Sequence, residues 1–419
     1  VVRWVWLRML PGSGFRTTTT ITRTRTRVSG LNLLNEYLPA QTVPTGQKTK
    51  ALKGALVPKG KATRTAKAMK RKSNLHKDVC SIENLLLADR KARKGKSGQK
   101  SLQKFDGASG CNIITLHNTL MEKRFKTSEY RVYPVYEPKE RLVYELPYID
   151  RVVHHAIMNI LEPLFVSWFT EDTYGCIKGR GIHGLQRNLR KSLQDVAGTT
   201  YYVKMDITKF YPSVNHEILK EMLRRKIKDV DLLALLDEII DSAPGIPIGN
   251  YLSQYFSNFY LMYFDRFVKQ RGAVHYFRYA DDMLILGDNK PLLHRLRAEM
   301  QQYLNVELQL TMKDNYQVCR VDEGIDIVGY VNYHKFTLMR PSIKKRFGRA
   351  VAKGASNATI MAYVGWASHC NSYNLLNKLL HEKFPRPEHC TARRRKKGVH
   401  RRKNKNEQNT EPVNSNTRL

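Results

Sequence analysis

Residues 274–288 read VHYFRYADDMLILGD: two apolar runs of strand character, broken by two adjacent acids, Asp281 and Asp282. Aromatic and branched residues on either side of a short polar break form the pattern of a β-hairpin. Neighbouring carboxylates repel each other, so a tight hairpin tip is an uncomfortable place for a pair of them. Either the tip is a solvated turn, or the acids hold something positive.

Composition favours a polyanionic partner. Among 419 residues, 72 Lys+Arg stand against 37 Asp+Glu, a formal net charge of +35. An excess of that size points to nucleic acid before an anionic membrane surface. No apolar run approaches the roughly 20 residues needed to span a bilayer, so no membrane is expected as partner. Cys80, Cys111, Cys176, Cys319, Cys370 and Cys390 are scattered without a CxxC pair, which suits reduced thiols in the cytoplasm better than a disulfide framework. Cys370, His381, His389 and Cys390 are too irregularly spaced for a standard zinc site.

Residues 1–80 read as a basic, poorly ordered arm. It opens on a short apolar segment and a Thr/Arg run that lack the core and cleavage site of a signal peptide, and this start also reads as sequence upstream of the true beginning. A helical pattern follows Ser81, a candidate N-cap with Asn84 at the third helical position. Two strand-like runs flank the turn at Pro138–Arg141, and a helix with apolar spacing starts near Asp150. TYYVKMD reads as a strand ending at Asp206. Then come one helical stretch over 216–241, a Pro/Gly-rich loop, a second helix over 252–270 and the hairpin. Residues 308–333 read as a further pair of strands, and a basic helical region begins after Pro341. Strands interleave with helices without regular βαβ units, which predicts an α+β fold rather than a doubly wound sheet.

Asp206 and the Asp281–Asp282 pair are 75 residues apart, yet both sit at strand ends and can converge on one sheet edge. A few hard oxygen ligands, open on one side, suit Mg2+ that also holds substrate phosphates. With two such ions, one activates a primer 3′-hydroxyl and the other neutralises the leaving pyrophosphate; Mn2+ is a possible substitute. Lys139 and Arg141 are candidate cations for a triphosphate.

VKMDITKFYPSV, IGNYLSQ, YADD, LTMKD and IVGYVNY, in their order along the chain, resemble the motifs of a reverse transcriptase. The resemblance runs from about Ser81 to Leu380. It implies a right-hand polymerase fold: fingers over 81–200, a palm of antiparallel sheet and helices over 201–340, a helical thumb over 341–382, and a disordered basic tail over 383–419. It implies that Asp206, Asp281, Asp282 and the carbonyl of Ile207 hold metal. Tyr211 would be the steric gate against a ribose 2′-OH, and Lys313 would sit near the pyrophosphate. Tyr279 would touch primer or template, and Gly329 and Tyr330 would form the primer grip. Ile248, Gly249 and Gln254 would line the dNTP site. Arg278 either joins this site or only pairs with an acid.

Most reverse transcriptases have Gln where Ile248 stands and Pro where Gln254 stands. The IGxxxSQ pattern resembles the enzymes of diversity-generating retroelements, which are bacterial or phage-encoded. These copy a template RNA into cDNA with errors at adenines and work with a pentameric accessory variability protein. Ile offers no hydrogen bond to steady an incoming nucleotide, so discrimination between right and wrong pairs weakens. The alternatives are a group II intron-type reverse transcriptase with maturase function, and a catalytically inactive RNA-binding assembly protein. The intact acids argue against the second of these.

Overall fold

The computed structural model describes residues 73–96, 98–136 and 140–380. Nearly all of the N-terminal arm, Lys139, the basic tail and the set His381, His389 and Cys390 lie outside the described residues. The five described cysteines are free.

Helix α1 (Leu75–Cys80) precedes α2 (Ile82–Ala92), whose cap is the expected one: Asn84 N donates to Ser81 Oγ at 3.3 Å. The helical pattern after Ser81 is interrupted by turns before α3 (Lys100–Asp106) and α4 (Ser109–Met121). Strands β1 (Arg131–Tyr136) and β2 (Glu140–Glu145) form an antiparallel hairpin. The long helix α5 (Tyr148–Trp168) and the basic α6 (Gly181–Ser192) lead into β3 (Tyr201–Met205).

Two expected single helices are each a pair. Residues 216–241 divide into α7 (His216–Lys226) and α8 (Val230–Asp241) because Ile227 turns extended and Asp229 caps the second helix, accepting from Leu232 N at 3.0 Å. A short acceptor side chain competes for the backbone and restarts the helix there. Residues 252–270 divide at Leu261 into α9 (Tyr251–Tyr260) and α10 (Met262–Gln270).

The hairpin is real: β4 (His275–Tyr279) pairs with β5 (Asp282–Gly287), with Tyr279 opposite Asp282. After α11 (Lys290–Glu307) comes β6 (Val318–Arg320), and the central sheet is antiparallel in the order β4-β5-β3-β6. The expected pair of strands over 308–333 is instead three short ones, because a 3-10 turn at Val321–Glu323 reverses the chain after β6. β7 (Ile325–Ile327) and β8 (Tyr330–Asn332) join β9 (Thr337–Met339) in a separate three-stranded sheet. Helices α12 (Pro341–Ala352), α13 (Asn357–Ala367) and α14 (Tyr373–Leu380) follow.

The central sheet is buried on both faces, which is why MLIL is an unbroken apolar run. Met283 and Ile285 face the large helical core, whereas Leu284 and Leu286 face a second core with α6 and β7. Side chains alternate across a strand, so one run supplies both cores. No helix among the described residues is long and apolar enough to cross a membrane.

Candidate active site

Strand register brings the acids together. Met205 on β3 pairs with Met283 on β5, so Asp206, one residue beyond the first, lies beside Asp282, one residue before the second. Asp281 sits in the two-residue loop between Tyr279 and Asp282. Its neighbour Ala280 has φ 56°, at a loop position where glycine is the usual occupant.

The tip is not a solvated turn. Asp281 is partly buried, and burial, with Asp206 and Asp282 close by, pushes its carboxyl up to about 6. Like charges at this separation need a compensating cation. Part of the compensation is local: Lys313 Nζ donates to Asp206 Oδ2, and Lys204 Nζ lies 3.9 Å from Asp282 Oδ1. Lys313 is placed by backbone pairing, its N–H donating to Asp206 O at 2.9 Å and Thr208 N to Thr311 O at 2.8 Å. Ile207, 1% exposed, is bridged to Met312 in the same pairing, which fixes its backbone beside the acids.

The residues fit a divalent cation. Asp206 Oδ1 is buried and has no hydrogen-bond partner, an unsatisfied hard donor next to two more carboxylates. Among the described residues no three His, Cys, Asp or Glu close into a ligand cage. An open site with few protein oxygens is what Mg2+ takes when substrate phosphates complete its shell.

Tyr211 opens a 3-10 turn five residues after Asp206 and is 4% exposed; burial raises its phenol, with Asp281 near enough to add to the effect. Its carbonyl accepts from Ile246 N at 2.9 Å, which ties it to the loop holding Ile248 and Gly249. That loop is clamped to β2: Tyr144 N donates to Ile248 O at 2.8 Å, and Gly249 has φ 127° with no room for a side chain. Ile248 packs partly against the large core. Gln254 is half-buried in the first turn of α9, its carbonyl accepting from Ser257 Oγ at 2.8 Å. Arg141 lies on β2 opposite Val135, and no hydrogen bond or ion pair joins it to the acids among the described residues.

Tyr330 is fully buried, its ring stacked on Trp366 at 5.4 Å and its hydroxyl donating to Trp366 O at 3.1 Å. Its side chain joins β8 to α13. Gly329 packs against the same indole. Tyr279 is half-buried across from Asp282.

Arg278 pairs with an acid, as one reading of the sequence had it; Lys204 and the identity of that acid were not foreseen. Alternation along YYVKMD puts Lys204 on the same side of β3 as Asp206, a signal that was there to be used. The partner of Arg278, Asp265 on α10, had no such signal.

Residues 136–330 match the family model described as reverse transcriptase (RNA-dependent DNA polymerase). Protein YkfC of Escherichia coli is 26% identical over 228 residues, covering 43% of this chain and 60% of that protein. Nuclear intron maturase 1 of Arabidopsis thaliana is 31% identical over 88 residues, 21% of this chain and 12% of the relative. Group II intron-encoded protein LtrA of Lactococcus lactis is 24% identical over 134 residues, 29% of this chain and 22% of the relative. The chain thus spans less than two thirds of the length of each of these relatives. Among solved structures, apo telomerase from Candida Tropicalis aligns with a TM-score of 0.40 at 9% identity, over 61% of this chain and 60% of that one. The central sheet, with Asp206, Asp281 and Asp282 at one end of its two inner strands, lies within the span of the family match, and the chain carries a reverse transcriptase domain.

Proposed function

We propose that this chain is an RNA-directed DNA polymerase whose metal ligands are Asp206, Asp281 and Asp282, with the Ile207 carbonyl completing the set. The observation that carries it is the register of β3 and β5, which brings acids far apart in sequence to one end of the two inner strands. Bound Mg2+, or Mn2+ in its place, would supply charge neutralisation at the attacking and leaving oxygens. The chain's own part is to hold the carboxylates crowded and to seat the nucleotide. Lys313 supplies its ammonium to the leaving pyrophosphate, a role that its bond to Asp206 supports. Tyr211 limits the room for a ribose 2′-OH, and Arg141 on β2 meets the triphosphate, with Lys139 as the other candidate cation. Residues 81–200 serve as fingers, 201–340 as palm and 341–382 as thumb, with Tyr279 and the backbone at Gly329 along the primer and template.

The finer reading is an enzyme of a diversity-generating retroelement, which copies template RNA with adenine-directed errors beside a pentameric accessory protein. What supports it is Ile248 on the clamped loop: a residue with neither donor nor acceptor where discrimination needs one. The rival reading, a group II intron-type maturase, is favoured by the curated relatives. The experiment is primer extension on an RNA template with dNTPs and Mg2+, followed by sequencing of the cDNA. Asp281→Ala should abolish synthesis; retained activity refutes the polymerase. Errors concentrated at adenines that fall in Ile248→Gln support the finer reading. An even error spectrum, together with intron splicing by the same preparation, decides for the maturase.

A further inference from the structure

Among the described residues Arg278 is the largest fully buried side chain: it is 0% exposed, as is its partner Asp265. Its Nε donates to Asp265 Oδ1 at 2.7 Å and its Nη2 to Asp265 Oδ2 at 2.6 Å. Tyr276 OH at 2.8 Å and Thr173 Oγ1 at 3.0 Å also donate to that carboxylate. Removing both ions from water is tolerable only because the network is fully satisfied. A network of this kind is a poor source of stability, so its use lies elsewhere.

The remaining donor, Nη1, reaches Asn258 Oδ1 and Ala280 O, each at 3.0 Å. Ala280 directly precedes Asp281 and holds the left-handed φ that L residues rarely adopt. Asn258 in turn donates from Nδ2 to Gly175 O at 2.7 Å. Gly175 presses on the same turn: a Cβ there would sit 2.8 Å from Ala280 N. The catalytic turn is therefore held from inside by the guanidinium and from outside by the Gly175 backbone, and one asparagine fixes both.

We propose that Arg278 is a positioning residue for the metal site: through the Ala280 carbonyl it sets where the Asp281 carboxylate lies. This rests on the reading of Asp281 as a metal ligand.

The test is Mn2+ binding to the full chain, followed by the electron paramagnetic resonance of free Mn2+, beside thermal melting. Arg278→Lys loses the fork that reaches Asp265 and Ala280 together and should weaken Mn2+ binding at least about fivefold. Thr173→Val removes a donor to Asp265 and the 3.4 Å acceptor of Arg278 Nη2, but leaves the Nη1 bond to the Ala280 carbonyl in place. It should lower the melting temperature and leave Mn2+ affinity within about twofold. Gly175→Ala leaves the Arg278 pair intact and drives a methyl into the turn, so it should weaken Mn2+ binding as Arg278→Lys does, and it answers the question if the lysine variant does not fold. The proposal is overturned if Arg278→Lys or Gly175→Ala, folded, binds Mn2+ as the wild type does, or if Thr173→Val loses affinity in step with its melting temperature. A wild type whose Mn2+ binding is unaffected by Asp281→Ala removes the metal-site reading itself, and this inference with it.

Discussion

Gly249→Ala tests the clamp between the nucleotide loop and β2. Gly249 has φ 127°, and an added Cβ would lie 2.2 Å from Tyr144 O, a backbone atom that cannot rotate aside. Adopting the backbone conformation with an L residue costs about 1–3 kcal/mol. Relieving the clash means parting the loop from β2 and losing the Tyr144 N–Ile248 O bond of 2.8 Å, a further ~0.5–1.5 kcal/mol. Gly179→Ala is the internal control: its φ is 82° but nothing lies within 4 Å of the added Cβ, so it carries only the conformational part. Urea denaturation should place Gly249→Ala about 1 kcal/mol below Gly179→Ala, roughly a fivefold shift in the folded-to-unfolded ratio. In primer extension, the proposed seating of the nucleotide by this loop predicts that Gly249→Ala raises the dNTP KM more than it lowers kcat. Agreement of the two variants within about 0.5 kcal/mol, with an unchanged dNTP KM, would refute the clamp.

Tyr211→Ala should lower the preference for dNTPs over rNTPs by about tenfold or more, read in parallel primer extensions; an unchanged preference removes the gate role. Stability should also fall in acid. Burial lowers His154 to about 3 and His155 to about 4, below the ordinary 6.5. Between those values and 6.5 the unfolded chain binds protons that the folded chain does not, so the stability present above pH 6.5 is lost as pH falls. His154, which is 1% exposed, contributes on the order of 3 kcal/mol of that loss by pH 4. Denaturation at several pH values should show the slope, and His154→Gln should flatten it.

Several elements could be read directly from local pattern. Ser81 caps a helix, MLIL is a doubly buried strand, and YADD is a hairpin tip, because capping, burial period and turn chemistry are properties of a few adjacent residues. The breaks at Asp229 and Leu261 were not anticipated, because apolar spacing runs through both and only a capping side chain or a local change in φ and ψ interrupts the helix. The same limit hid the burial of Tyr330, whose ring is claimed by Trp366 from a helix 36 residues on.

The amino-acid sequence by itself determined the chemistry on offer: three acids at strand ends and a basic chain to meet a polyanion. Tertiary structure alone decided how those residues act on one another. The β3–β5 register puts Asp206 beside Asp282, and pairing at Met312 delivers Lys313 to Asp206. Helix α10 supplies Asp265 to a guanidinium that no solvent reaches. Such effects depend on distance and dielectric between residues remote along the chain, and only the folded packing sets those two quantities.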